Sequence, residues 1–364
     1  MQVKQHYAVL DGLRGVAAIL VVVFHLSEVL AGGDPAGNVL PHGALAVDFF
    51  FGLSGFVIGY AYDERWPEMS TGQFLLRRLI RLHPLVLLAT AFGATAYVLS
   101  PYPGPDHGVS ALRMALTVAA ALLVLPYPAL PERFDDTHSL DGPTWTLLQE
   151  YIGSLAYALV LRRLDLRALF GLALACAAIT LVSAAHFGTM SKGFGFDGWW
   201  MAPVRLAFPF VCGLWLHRAV GYLPACRLGL APLSLALLAI FAAPAIGGAG
   251  TTSNGIAEAL AVIVVFPAVI LLGAHSGASE AAIRACSLLG RLSYPLYILH
   301  YPFVYCFIDY ARFGHGAPAT SLAATPVLFM SVMLLAWLGL RLWDEPVRGW
   351  LSRRLLGSKV APGS

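Results

Sequence analysis

The chain has 364 residues, 58% of them hydrophobic and only 12% charged, and a formal net charge of +3. A soluble domain carries roughly 25% charged residues, so a water-facing surface could not be covered here and the composition implies a polytopic membrane protein. The small, scattered positive charge, with no interleaving of basic and aromatic residues, excludes a nucleic-acid surface.

The first apolar run, LDGLRGVAAILVVVFHLSEVL at residues 10 to 30, follows Lys4 and precedes small residues at Ala31 and Gly32, a loose imitation of a secretory signal. A cleaved signal would not hold Arg14 and His25 in its core, so an uncleaved first helix is expected. Further windows long enough to cross about 30 Å of hydrocarbon lie near 43–62, 82–100, 111–130, 143–161, 168–187, 199–217, 228–247, 256–274, 292–310 and 322–343. Arginine-rich connections follow the second, fifth, seventh, ninth and last windows, and the rule that Lys and Arg stay cytoplasmic places these with the N-terminus. The charges reconcile only if 82–130 crosses an odd number of times. The expectation is therefore an all-α polytopic membrane protein with about ten transmembrane helices, both termini cytoplasmic. One of the two windows in 82–130 is then re-entrant or interfacial, because PYPGPDHG between them cannot continue a helix. A single transmembrane domain is expected over 1–364, with its core at about 8–346, a short basic tail at 347–364, and no appended soluble domain. Nothing in the sequence sets the oligomeric state.

Ionisable groups inside such windows are costly and mark function. Eleven helical steps from Arg14 to His25 give three turns plus roughly 20°, so the two share one face about 16 Å apart. Asp48 and Ser54 lie in the second window, within ALAVDFFFGLSGFVIGYAY, and Asp48 is placed to accept a hydrogen bond from His25. The GLSG glycines also permit close helix approach. RRLIRLHPL carries Arg77, Arg78 and Arg81 at a span boundary, with Arg78 and Arg81 three apart on one face, an arrangement suited to phosphate and equally to a topological anchor. Trp145 and Glu150 stand in TWTLLQEYIGS, and Tyr294, Tyr297 and His300 in LGRLSYPLYILHYP. Trp199 and Trp200 suit either a sugar ring or the membrane interface. The five cysteines, Cys176, Cys212, Cys226, Cys286 and Cys306, lack paired spacing, so no metal site or disulfide framework is expected.

Taken together, LDGLRGVAAILVVVFH, VDFFFGLSGF, RRLIRLHP, WTLLQE, FPFVCG, LGRLSYPLYILHYP and the terminal DEP resemble the acyltransferase 3 family of integral membrane acyltransferases, in the family's order and over essentially the whole chain. The resemblance implies transfer of an acyl group, most often acetyl from cytoplasmic acyl-CoA (acetyl-CoA), to a hydroxyl of a carbohydrate or related acceptor at the outer face of the cell membrane. It places the family's histidine on His25, its first arginine on Arg14 and its paired loop arginines on Arg78 and Arg81. His83 stands where relatives often carry an aromatic residue. The expected roles are then His25 as general base or acyl carrier, and Asp48 or Glu150 as its orienting carboxylate. Arg14, Arg78 and Arg81, with Ser54 nearby, would bind the donor, and Ser54, Tyr297, His300 and Trp145 would line the acceptor or oxyanion side. The rival class is a polytopic transporter or flippase, for which internal repeats would be expected and none is evident. A third, an assembly partner without catalysis, predicts that His25→Ala is silent.

Overall fold

The computed structural model describes residues 6–104, 107–127, 130–224, 226–314 and 318–357, the side chains of 318–320 excepted. No strand forms among them; one isolated antiparallel bridge joins Asp136 to Gly195. The α-helices among the described residues number fourteen: α1 (Ala8–Leu30), α2 (Ala46–Tyr62), α3 (Thr71–Val98), α4 (Ala111–Leu122), α5 (Thr144–Leu159), α6 (Leu166–Phe187), α7 (Met201–Ala219), α8 (Leu230–Phe241), α9 (Thr252–Leu260), α10 (Phe266–His275), α11 (Glu280–Leu299), α12 (Tyr301–Phe313), α13 (Pro318–Leu338) and α14 (Glu345–Leu356). Among the described residues, six continuous helical stretches are long and apolar enough to cross a membrane: those at 8–30, 43–62, 71–98, 166–187, 252–275 and 321–356. The molecule is thus an all-α, multi-pass membrane protein.

Local chemistry sets the boundaries. Ser70 and Gln73 form a reciprocal capping box at the start of α3, and Asp165, Thr251 and Ser279 each accept from a backbone N–H at the starts of α6, α9 and α11. Within 82–130, the first window belongs to the 28-residue α3, whereas the second becomes the 12-residue α4, about 18 Å long and too short to span. The window at 292–310 breaks at His300, because Pro302 removes a donor and crowds the preceding turn. Short π-helical segments at 261–265 and 339–344 precede α10 and α14, each of which has a proline in its first turn.

Packing follows small residues. An added Cβ at Gly55 would lie 2.0 Å from the Phe210 carbonyl oxygen, and one at Gly213 would lie 2.0 Å from that of Gly52, so α2 and α7 touch backbone to backbone. The same is true of α1 and α11, where a Cβ on Gly15 would lie 2.6 Å from the Leu289 oxygen. Buried charges lock the close pairs. Arg205 of α7 makes a two-pronged pair with Asp48 of α2 at 2.6 and 3.2 Å, and Arg78 of α3 meets Glu150 of α5 at 2.8 Å. Arg133 pairs with Asp309 of α12 through two bonds of 2.9 and 3.1 Å. Outward faces are apolar: Val327, Met330, Leu334 and Trp337 form an exposed stripe along α13 at helical spacing, as lipid contact requires. Along α1, Arg14 and His25 occupy opposite ends of the bundle.

Candidate active site

His25 is directed into the bundle. Its ring stacks on that of His300 at a centroid distance of 5.3 Å, and the Tyr301 ring meets it edge-on at 4.9 Å. Its Nδ1 lies 3.1 Å from Glu28 Oε2, three residues further along α1. A carboxylate can only accept, so Nδ1 carries the proton and Nε2 keeps its lone pair. His300, fully buried at the break between α11 and α12, donates from Nδ1 to the Tyr297 carbonyl at 2.7 Å; its Nε2 has no partner among the described residues.

The carboxylate within hydrogen-bond reach of His25 is Glu28, whereas the expected partners Asp48 and Glu150 each meet an arginine. Asp48 is consumed by Arg205, whose guanidinium also lies 5.3 Å over the Trp145 ring, so Trp145 packs on that ion pair. Glu150 accepts from Arg78 and, at 2.7 Å, from the Ser54 hydroxyl, which removes Ser54 from any oxyanion role as a free donor. Thr146 gives its proton to the Pro143 carbonyl, so the contact of 3.1 Å between Thr146 and Tyr297 has the phenol as donor. Tyr297 is thereby occupied too. The hydroxyl beside His25 that makes no hydrogen bond to a described residue belongs to Tyr301. Glu28 was legible as an i,i+3 neighbour of His25 on one helical face; Tyr301 carries no signal beyond adjacency to His300, and Arg205 was detectable only as a lone cation inside PVRLAFPF.

At the opposite end, Arg14 is clamped to α11, donating from Nε to the Ser293 hydroxyl and from Nη2 to the Gly290 carbonyl, each at 2.9 Å, with Asp11 at 3.1 Å. Arg78 spends its fork on Glu150 and Ser154. Arg81, by contrast, has no ion pair or hydrogen bond to a described residue, and it lies within the electrostatic reach of Arg348, Arg14 and Arg78. Arg348, on α14, was not singled out in the sequence; it pairs with Asp344 at 2.9 Å. Four arginines from three helices thus gather at this end of the bundle.

Next to the His25–Glu28 pair lies a partly open cavity of about 200 Å³, which Phe24 and Glu28 of α1 line and His25 itself does not; its wall also includes Asp34, Asn38, His42, Thr189, Ser191, Asn254 and Glu258. None of the described lining residues is a lysine or arginine. Glu258 organises the wall: it receives His42 Nδ1 at 3.0 Å, Asn254 Nδ2 at 2.8 Å, the Thr189 hydroxyl at 3.0 Å and the Met190 backbone N–H. Trp199 and Trp200 are exposed at this end, and Trp200 packs on Phe187.

A family profile described as "Acyltransferase domain" matches residues 7–341. Protein 2 in the picA locus of Rhizobium radiobacter is 34% identical over 193 residues, half of this chain and 97% of that protein. Acyltransferase MdmB of Streptomyces mycarofaciens is 26% identical over 338 residues, covering 84% of this chain and 79% of the relative. Peptidoglycan O-acetyltransferase OatA of Listeria monocytogenes is 34% identical over 86 residues, 23% of this chain and 12% of that enzyme. No solved structure gives a significant match.

Proposed function

The chain belongs to the acyltransferase 3 family, whose profile covers nearly all of it, and from that premise we propose that it moves an acetyl or similar acyl group from cytoplasmic acyl-CoA to a hydroxyl of a carbohydrate-like acceptor on the far side of the cell membrane. The observation that carries this reading is the His25–Glu28 pair: an inward imidazole whose Nδ1 is held by a carboxylate that also lines a cavity, with the Nε2 lone pair left over.

The donor's phosphates suit the arginine mouth. Arg81 offers an unshared guanidinium, while Arg14 and Arg348 add positive field and Arg78 contributes a charge shared with Glu150. The pantetheine arm then runs along α1 toward His25. Nε2 takes the proton from the acceptor hydroxyl as its oxygen attacks the thioester carbonyl; a C–O bond forms, the C–S bond breaks, and the imidazolium returns the proton to the departing thiolate. The carboxylate of Glu28 stabilises the imidazolium, and the Tyr301 hydroxyl donates to the developing oxyanion. Asp48 and Glu150 act as positioning residues that neutralise buried arginines on α2–α7 and α3–α5. Both termini and the arginine mouth are assigned to the cytoplasm by the basic connections, with one transmembrane domain as the working unit.

Purified protein incubated with acetyl-CoA and an envelope-glycan fraction should release free thiol and transfer acetyl in equal amounts. Unchanged transfer by His25→Ala, correctly inserted, would discard the assignment of the base.

A further inference from the structure

The lining of the cavity beside His25 is rich in hydrogen-bond acceptors. Asn254 is 2% exposed and borders the cavity; its Nδ2 donates to the Gly188 carbonyl at 3.3 Å and to Glu258, which fixes the amide orientation, and its Oδ1 has no partner among the described residues. His42 gives its Nδ1 proton to Glu258, so its other ring nitrogen is a second acceptor. Glu28 and Asp34 add two carboxylates at the same wall, and Glu258 a third behind it. No cation among the described lining residues offsets them. At about 200 Å³ the space falls below the roughly 300–1,000 Å³ of pockets for drug-sized ligands.

We propose that this cavity is the acceptor subsite, that it takes a single uncharged or amino-bearing sugar-like unit through the unit's own O–H and N–H donors, and that it rejects anionic units. This rests on the acyl-transfer reading above. Asn254 Oδ1 and His42 receive ring hydroxyls, Glu258 holds both receivers in place, and Glu28, which also contacts His25, puts the bound hydroxyl next to the base. A carboxylate or phosphate on the unit would meet acceptors and like charge with no lining cation to pair with it, an arrangement that discriminates by exclusion.

The test uses the full-length solubilised protein and saturation-transfer NMR with methyl glucoside, methyl glucosaminide and methyl glucuronide at equal millimolar concentration. The first two should bind, and the glucuronide should bind at least about tenfold more weakly, as like-charge juxtaposition implies. Asn254→Ala should weaken the glucoside at least about tenfold. Because that change touches a buried network, Ala249→Trp, at an exposed position on the cavity rim, provides a second arm: it should block glucoside binding with an unaltered elution profile. Equal binding of the glucuronide, no binding of either other glycoside, or binding untouched by Ala249→Trp overturns the inference. These are binding readouts, so they fail independently of the transfer reading: loss of selectivity while His25→Ala abolishes acetyl transfer sinks only the subsite, and the reverse result sinks only the base.

Discussion

In the proposed mechanism His25 serves as a base because one of its nitrogens is already committed. With Nδ1 donating to Glu28, the imidazole has one tautomer and one basic atom. His25→Ala should lower acyl transfer by about 10²-fold to 10⁴-fold with membrane insertion retained. Glu28→Gln, which keeps the hydrogen bond's shape and removes its charge, should cost less, about 10-fold to 10²-fold in kcat with little change in acceptor KM. Tyr301→Phe deletes one donor at the oxyanion of the proposed mechanism and should cost about 10²-fold in kcat; thiol-release assays at saturating donor separate the three. The eleven-residue spacing of Arg14 and His25 was legible because α1 is continuous from Ala8 to Leu30. The partners were not. Which carboxylate reaches an imidazole depends on rotamers and on neighbouring helices, and the sequence offered Asp48 and Glu150 as readily as Glu28. In the structure each of the first two meets an arginine, for the elementary reason that a buried guanidinium must also find an anion.

The same accounting governs the helix pairs. On α2 and α7, backbone contact at Gly55 and Gly213 brings Asp48 and Arg205 into a shared, fully buried site. Asp48→Ala leaves an unpaired buried guanidinium and should destabilise the protein by about 3–5 kcal/mol, read from thermal unfolding in detergent. The double replacement Asp48→Leu with Arg205→Met should recover most of that loss, since an apolar pair of similar volume is close to neutral. If Asp48 instead acted on the reacting groups, the double variant would be stable and inactive; retention of transfer identifies it as a positioning residue. Gly55→Leu should separate the two helices and cost about 1–3 kcal/mol. The role of GLSG in close approach was readable from its small residues, and the partner helix was not, because α7 is apolar and aromatic on every side of its glycine. Apolar windows located most helices, yet 111–130 and 228–247 shrank to 12 residues each, since hydropathy reports where lipid is tolerated and says nothing of where a chain unwinds between packed neighbours.

Over the whole molecule, the arrangement separates two sites: Arg14, Arg78, Arg81 and Arg348 gather toward one end, and the cavity without a lining lysine or arginine lies toward the other, with α1 running between them. That polarity is what a donor held by its phosphates and an acceptor held by its hydroxyls require, and it gives the fold a direction that can be measured. Cys226, exposed in the connection between α7 and α8, lies beside the basic residues of the arginine end. Thr252, exposed at the start of α9, lies at the cavity end, where neighbouring Asn254 lines the wall. On the proposed orientation, which puts the positive-rich connections in the cytoplasm, a membrane-impermeant maleimide applied to intact cells should leave Cys226 unlabelled until the membrane is opened. In a Cys226→Ser background, Thr252→Cys should label at once. The opposite pattern would place the arginine mouth outside, away from cytoplasmic acyl-CoA, and the proposed direction of transfer would have to be abandoned even if His25 proved indispensable.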